Sequence, residues 1–464
     1  MTAHTAATPD AESGSTLISP QRRNFVFLAI MLGMLMAALD QTIVATALPT
    51  IVADLGDAGH QSWVVTSYLL ASTIITALAG RLGDLFGRKR VFQAAVAFFV
   101  VGSALCGISQ SMAMLVGARA LQGLGASGIM AVNSALIRFI FPSRILGRGF
   151  GKNAMVVATA MTLGPTIASG ILSIGSWPWL FAVNIPFGLI AIGIGLKTLP
   201  HPPRAPHTFD FPGAILAASG LGLFIIGIGS AAHKTSPTLV GIELTAAIVL
   251  GALLIRRQAD HPAPMLPIDL FRRPLFALSA ATSVCSFAVQ GLAFVSLPFY
   301  FEDILLRTQV ETGFFMTPWP LVVAIMAPIG GRLSDRYPAG ILGSIGLALL
   351  CVGMGLLATL PASPSVANIV WRMALCGFGF GFFQTPNLRT LMSSAPPNRS
   401  GSASGIVATA RLTGQTTGAA LAALCFALAG REGATLALAL GAGFAAFGSV
   451  MSVLRLAVAP QRPA

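Results

Sequence analysis

Long apolar runs alternate with short polar gaps along almost the whole chain, and the spacing of the gaps predicts its elements. Fourteen runs stand out, at about 25–50, 63–80, 91–109, 112–137, 153–175, 179–197, 212–232, 238–255, 275–299, 313–331, 340–360, 366–388, 401–428 and 434–456. A bilayer core of about 30 Å needs roughly 20 apolar residues in a helix. Lipid offers no partner to an unpaired backbone amide, so a span must be helical or a closed barrel. Each run is therefore expected to be a membrane-spanning helix, and the chain an all-α polytopic membrane protein.

The gaps carry a charge asymmetry that tests this count. With the N-terminus inside, 22 of the 28 Lys and Arg residues fall on the cytoplasmic side, and the outer gaps hold only Lys234, Arg307 and Arg431. Arg119, Arg372 and Arg411 lie within runs and complete the set. Basic residues flank spans on the cytoplasmic side, and miscounting one helix would invert every later gap. The expected protein is thus a multi-pass protein of the cytoplasmic (inner) membrane with both tails, 1–24 and 457–464, in the cytoplasm. The polar stretch 1–20 holds no basic residue and does not read as a signal peptide. The formal charge of +13 is topological in this reading, so no nucleic-acid partner is expected.

Internal repeats organise the runs. VATAMTLG at 157–164 returns as VATARLTG at 407–414, and GRLGD at 80–84 as GRLSD at 331–335. DQTIVATALP at 40–49 matches VQGLAFVSLP at 289–298 more weakly. These near-equal offsets predict two related halves. A six-helix bundle is expected over 25–200 and a second over 274–456. The segment 201–273 would supply Pro-rich linkers and an inserted two-helix hairpin.

Composition narrows the function. The chain is 55% hydrophobic and 9% charged, with a mean hydropathy of +0.81, whereas soluble domains carry roughly 25% charge. Its five cysteines, Cys106, Cys285, Cys351, Cys376 and Cys425, lie in apolar runs and are expected to be reduced packing residues. No G-x-x-x-x-G-K-[ST] string and no zinc or haem spacing occurs. His, Ser or carboxylate groups do not cluster at one depth, which argues against a membrane enzyme. The longest internal gap, 256–274, leaves no room for the soluble domain of a membrane sensor. A secondary transporter without cofactors, driven by an ion gradient, fits best.

Two sets of charges need a reason in so apolar a chain. Asp40 lies in the outer half of the first run, among Ala37, Ala38 and Leu39. A carboxylate in the membrane is costly when ionised and is functional by default, which suits proton binding and release. The alternative is a helix-packing Asp hydrogen-bonded to a neighbour, or one near enough to the surface to stay hydrated. The gap GRLGDLFGRKR at 80–90 packs Arg81, Asp84, Arg88, Lys89 and Arg90 between two spans. A solvated topogenic loop explains the basic residues but leaves Asp84 without a role, so the gap reads as a charged gate. Arg332, Asp335 and Arg336 form a shorter second copy.

LDQTIVATALP (39–49), GRLGDLFGRKR (80–90), RALQGLGASG (119–128), Gly164-Pro165 and WPWLFAVNIPFG (177–188) follow in order. Together they resemble the fourteen-helix drug:proton antiporter branch of the major facilitator superfamily, over nearly the whole chain. The resemblance implies the major facilitator fold, with alternating access between two six-helix bundles. It implies a role for Arg119 in proton transfer; an arginine does not itself deprotonate, so it would act by pairing with a carboxylate. It implies that Asp84 latches the end of a neighbouring helix in one state. Leu85 departs from the pattern, where a basic residue is frequent. Ala160, Ala168 and Ser169 also depart from the glycine-rich string around Gly164 and Pro165.

The remaining candidates line a cavity or pack helices. Gln41, Gln122, Gln290, Gln384, Asn387, Arg411 and Gln415 are candidate polar contacts for substrate. Phe287, Phe294, Phe382 and Phe383 are candidate apolar surface. Gly123, Gly125, Gly128, Gly164 and Pro165 are expected at close helix contacts. Arg411 stands where the first half has Met161, which makes the second half electropositive and a dication site less attractive. The expected protein exports small amphipathic or hydrophobic compounds as a functional monomer in the lipid bilayer. A lipid or metabolite exporter of the same fold is the alternative.

Overall fold

The computed structural model describes residues 19–56, 61–199, 210–232, 236–259, 268–361, 363–396 and 399–458. The expected tails 1–24 and 457–464 and the linkers around the inserted hairpin fall largely outside these residues. The first half comprises α1 (Pro20–Leu55), α2 (Gln61–Leu82), α3 (Arg88–Gly107), α4 (Met112–Ile140), α5 (Leu146–Ile174), α6 (Pro178–Ala182) and α7 (Asn184–Thr198). A hairpin of α8 (Phe211–Ala232) and α9 (Pro237–Ala259) follows, then the short α10 (Ile268–Phe271). The second half holds α11 (Pro274–Phe299), α12 (Gln309–Met316), α13 (Pro318–Ser334), α14 (Ala339–Ala358), α15 (Val366–Ser394), α16 (Ser400–Ala429) and α17 (Gly433–Val458). The described residues contain no strand.

Local chemistry sets the helix ends. Pro20, Pro178, Pro274 and Pro318 open helices at their first positions, where a missing N–H costs nothing. Ser111 and Ser365 accept the backbone N–H of Met114 and Asn368, and Thr308 with Glu311 forms a capping box. Among the described residues, eleven helical segments are long and apolar enough to cross a membrane, the last of which, Ser400–Val458, runs through both α16 and α17. Shorter apolar helices lie at Trp63–Thr76 and Pro212–Phe224. The outer surface is apolar, with Ile174, Leu428 and Ile248 among many exposed hydrophobic side chains.

The repeat governs the packing. Within each half the equivalent helices pair, α1 with α5 as α11 with α16, and α2 with α4 as α13 with α15. The halves meet at two crossings, α2 on α16 and α13 on α5. Both crossings are glycine to glycine. A Cβ on Gly80 would stand 2.7 Å from the Gly401 carbonyl oxygen, and one on Gly331 would stand 3.2 Å from the Gly151 Cα. Gly80 and Gly331 are the first residues of the two repeated GRL motifs, so each motif brings a backbone within contact of the other half. The α8–α9 hairpin lies against α2 and α16. Asp210 staples it, accepting from Gly213 N at 3.1 Å, Arg257 Nη2 at 3.0 Å and Gln258 Nε2 at 2.7 Å.

Candidate functional site

Four polar constellations interrupt the apolar packing of the described residues: one latches the halves at the end of each crossing, one is sealed in the first half, one lies between the halves, and one is sealed in the second half. At the first latch, Asp84 sits in a π-helical turn, Gly83–Gly87, between α2 and α3. Its carboxylate reaches the start of α16 and accepts from Gly401 N at 3.0 Å, Ser402 N at 2.9 Å and Ser402 Oγ at 3.1 Å. Arg88 Nη2 joins at 3.1 Å from its own side of the interface. A helix N-terminus has free N–H groups and a positive dipole end, so an anion there satisfies both. The second latch repeats the device. Asp335 at the end of α13 accepts from Gly147 N, at the start of α5, at 3.0 Å. Arg148 Nε lies 3.6 Å and Arg389 Nε 3.5 Å from its oxygens.

The flanking cations play uneven parts. Lys89 donates to the Leu196 carbonyl at 2.7 Å, tying α3 to α7. Arg90 and Arg332 are exposed. The partners of Asp335 are Arg148 and Arg389, because at the end of α13 its carboxylate meets the start of α5, while Arg332 of the same string is exposed. The short motif could not disclose partners that sit 187 residues upstream and 54 downstream.

The sealed constellation surrounds Asp40. Both Asp40 and Arg119 are 1% exposed, and Arg119 Nη1 donates to Asp40 Oδ2 at 2.5 Å. Gln122 Nε2 at 2.8 Å and Asn184 Nδ2 at 3.2 Å donate to Asp40 Oδ1. Arg119 Nη1 also reaches Gln122 Oε1 at 2.5 Å, and its Nε donates to the Val64 carbonyl at 3.1 Å. The guanidinium lies over the Tyr68 ring, 4.2 Å from its centroid, and Gln41 lies beside the Tyr68 hydroxyl. A buried charge needs an ion partner and further hydrogen bonds, and here four helices supply them. Sequence reasoning named Asp40 and Arg119 but placed Gln122 in the cavity. The repeat of Gln122 three residues after Arg119, one helical turn on, was the available signal for its true place. Asn184 carried no signal beyond its position in the WPWLFAVNIPFG string.

The packing residues explain how that cluster closes. A Cβ on Gly123 would strike the Tyr68 carbonyl, one on Gly125 would stand 2.7 Å from the Ala95 carbonyl oxygen, and one on Gly128 would stand 2.6 Å from the Ala95 Cβ. Gly164 lies against Thr42 of α1, with Pro165 inside α5.

Between the halves lies a cavity of about 100 Å³. Gln290, Gln384 and Arg411 line it, together with Asn133 and Asn153, which hydrogen-bond each other at 3.0 Å. Its aromatic wall is Phe287, Phe294, Trp319 and Phe380, where Phe382 and Phe383 had been expected beside the first two. Gln415 does not line it but donates to Gln290 Oε1 at 2.8 Å. Asn387 is withdrawn from it into the buried cluster of the second half. There Arg455 Nη1 donates to Asn387 Oδ1 at 2.6 Å and to Ser279 Oγ at 3.3 Å, and Asn387 Nδ2 donates to Ser283 Oγ at 2.7 Å. Arg455 also bonds Ser452. Arg455, near the end of the expected run 434–456, is 1% exposed inside α17.

Comparison with known proteins agrees with this architecture. Residues 30–419 match the family model described as Major Facilitator Superfamily. The chain is 47% identical over 440 residues to "Uncharacterized transporter YebQ" of Escherichia coli (strain K12), covering 94% of this chain and 96% of that one. It is 31% identical to "Riboflavin transporter RibZ" of Clostridioides difficile (strain 630), over 83% of this chain and 84% of that protein. It is 33% identical to "Multidrug resistance protein Stp" of Mycobacterium tuberculosis (strain CDC 1551 / Oshkosh), over 84% and 73% respectively. Among solved structures, that of the human organic anion transporter MFSD10 superposes with a TM-score of 0.71 at 17% identity, covering 93% of this chain and 99% of that one. With its helical halves, its two crossings and this match over most of its length, the chain belongs to the Major Facilitator Superfamily.

Proposed function

We propose that this transporter is a proton-coupled exporter of small amphipathic or hydrophobic compounds. It would work by alternating access with fourteen spans, in the drug:proton antiporter branch. It would sit in the cytoplasmic membrane as a monomer with both termini inside and the latch end facing the cytoplasm. The observation that carries this reading is the sealed Asp40–Arg119 pair, 2.5 Å apart and 1% exposed on both sides. A proton and Arg119 compete for one carboxylate. Protonation of Asp40 removes the charge that Arg119, Gln122 and Asn184 hold, and leaves a buried guanidinium in need of new partners. An interaction present in one state only shifts the population between states, so proton binding at Asp40 would favour release of the Asp84 and Asp335 latches. The relative named as a multidrug resistance protein supports the substrate class.

The test is proton release from purified protein on adding a drug to which the chain confers resistance in an efflux-deficient host. Wild type should release protons and Asp40→Asn should not, while Asp40→Glu retains part of the response. Equal release from wild type and Asp40→Asn removes Asp40 as the coupling group. The relative named as a riboflavin transporter favours a second reading, a metabolite exporter of the same fold. Riboflavin counterflow in proteoliposomes without any drug resistance would select it.

A further inference from the structure

The cavity between the halves is cationic, and its chemistry points to one substrate class. Arg411 reaches it from α16 and is the charged side chain in its lining. Among the described residues Arg411 has no carboxylate neighbour, and its Nε is buried without a hydrogen-bond partner. Its guanidinium lies 5.8 Å from the centroid of the Phe287 ring. Arg411 is partly exposed to the cavity, whereas Arg119 and Arg455 are sealed in the helical layer. Arg119 has Asp40, and Arg455 bonds Asn387, Ser279 and Ser452 through its Nη atoms, with its own Nε also unpartnered. An arginine stays charged at any accessible pH, and a desolvated charge without a partner is costly. The cavity therefore carries an unmet demand for an anion.

The rest of the lining defines the body that would bring it. Phe294 packs edge-on against Trp319 at 5.6 Å, and Phe287 against Phe380 at 5.6 Å. This wall offers ring faces and edges to a flat apolar group beside the guanidinium. Gln290 and Gln384 supply neutral polar contacts.

We propose that the transported compounds are aromatic or apolar molecules bearing one acidic group, a carboxylate or sulfonate, which Arg411 binds through charge-assisted hydrogen bonds. This assignment rests on the export reading for its direction of movement, but the charge preference of the cavity is a separate property. A cationic amphiphile of the same shape meets a like charge and loses affinity.

The test is isothermal titration of the full chain in nanodiscs of zwitterionic lipid with two probes of one ring system, naphthalene-2-sulfonate and 2-naphthylmethylammonium. Wild type should bind the sulfonate at least about tenfold more tightly, the least that a hydrogen bond to a charged group contributes. Arg411→Gln should abolish that preference, and Arg411→Lys should keep its sign. Equal or reversed preference in wild type overturns the proposal. So does the lack of saturable sulfonate binding, or a preference that survives Arg411→Gln. Proton release is read on the same samples. If sulfonate binding depends on Arg411 while Asp40→Asn releases as many protons as wild type, the coupling proposal falls and the substrate class stands.

Discussion

The two halves fold alike and hold charge differently. Gly123 and Gly125 of α4 meet Tyr68 and Phe99, and Gly377 and Gly379 of α15 meet Trp319 and Leu350, so the seams between helices repeat. The latches repeat as well, an aspartate at the end of one crossing helix on the backbone N–H at the start of the other. The charges in the helical layer do not. Where the first half carries Asp40, the aligned position of the second is Val289, 0% exposed. Where the second half carries Arg411, the first has Met161, and both line the cavity. The shared features fix backbone approach and are costly to change in either copy. The differing ones are single side chains that swap without disturbing a helix, and there the halves have been free to take separate tasks: a neutralised pair in one and an open cation in the other.

The sharpest break of this comparison is by charge removal. Arg119→Gln leaves the sealed Asp40 without its ion partner, and loss of one partner of a buried pair costs about 3–5 kcal/mol. Arg411→Gln removes a charge that has no partner, so the same substitution should leave stability unchanged or raise it. Thermal unfolding of both variants in one lipid system checks this. A double change, Asp40→Asn with Arg119→Gln, should recover much of the first loss. Comparable destabilisation by Arg119→Gln and Arg411→Gln would mean that the two arginines are held alike, and would end the contrast.

A smaller effect separates the latches. Asp84 is 2% exposed and accepts three hydrogen bonds from α16 and one from Arg88. Asp335 accepts the Gly147 N–H and has Arg389 at 3.5 Å and the half-exposed Arg148 at 3.6 Å. Hydrogen bonds to a charged group contribute about 1.5–3 kcal/mol, and exposed ion pairs under about 1 kcal/mol. Asp84→Asn should thus slow transport at normal expression by roughly tenfold or more, and Asp335→Asn by less, with probe affinity in detergent changing less than turnover. Gly80→Ala should mimic the larger effect, since its Cβ meets the Gly401 carbonyl and overpacking costs about 1–3 kcal/mol. Full efflux from Asp84→Asn would show that the contact to α16 does not gate.

How much of this was legible in the sequence follows the same division. The helical layer and the two-fold repeat are written as period, offset and composition. Asp40, Arg119 and Asp84 stood out because charge is costly where they lie. The assignments that changed all depend on side-chain direction. Gln122 and Asn387 belong to sealed clusters and Gln415 to a bond with Gln290, although each shares a helix with residues near the cavity. Arg455 lies at the end of the run 434–456, beside the expected tail, and only packing of α17 against α11 and α14 shows it buried. Partners such as Arg389 and Asn184 come from distant segments, and no local pattern announces them.

The finest distinction between the latches is their response to pH. Burial pushes the Asp335 carboxyl above its ordinary value, against the opposing pull of the Gly147 N–H, Arg389 and Arg148. A carboxyl raised in the folded protein binds its proton more readily there than in the unfolded chain. Its contribution to stability is therefore present at acid pH and is lost as pH rises through the raised value. Asp335→Asn holds the site neutral at every pH and removes that loss. Measured by thermal unfolding from about pH 4, near the ordinary carboxyl value, up to neutrality, wild type should decline relative to Asp335→Asn as pH rises. The gap should be smaller than either effect above, because Arg148 and solvent screen the site. Parallel curves would show that Asp335 is ionised without penalty, and would make the second latch as well satisfied as the first.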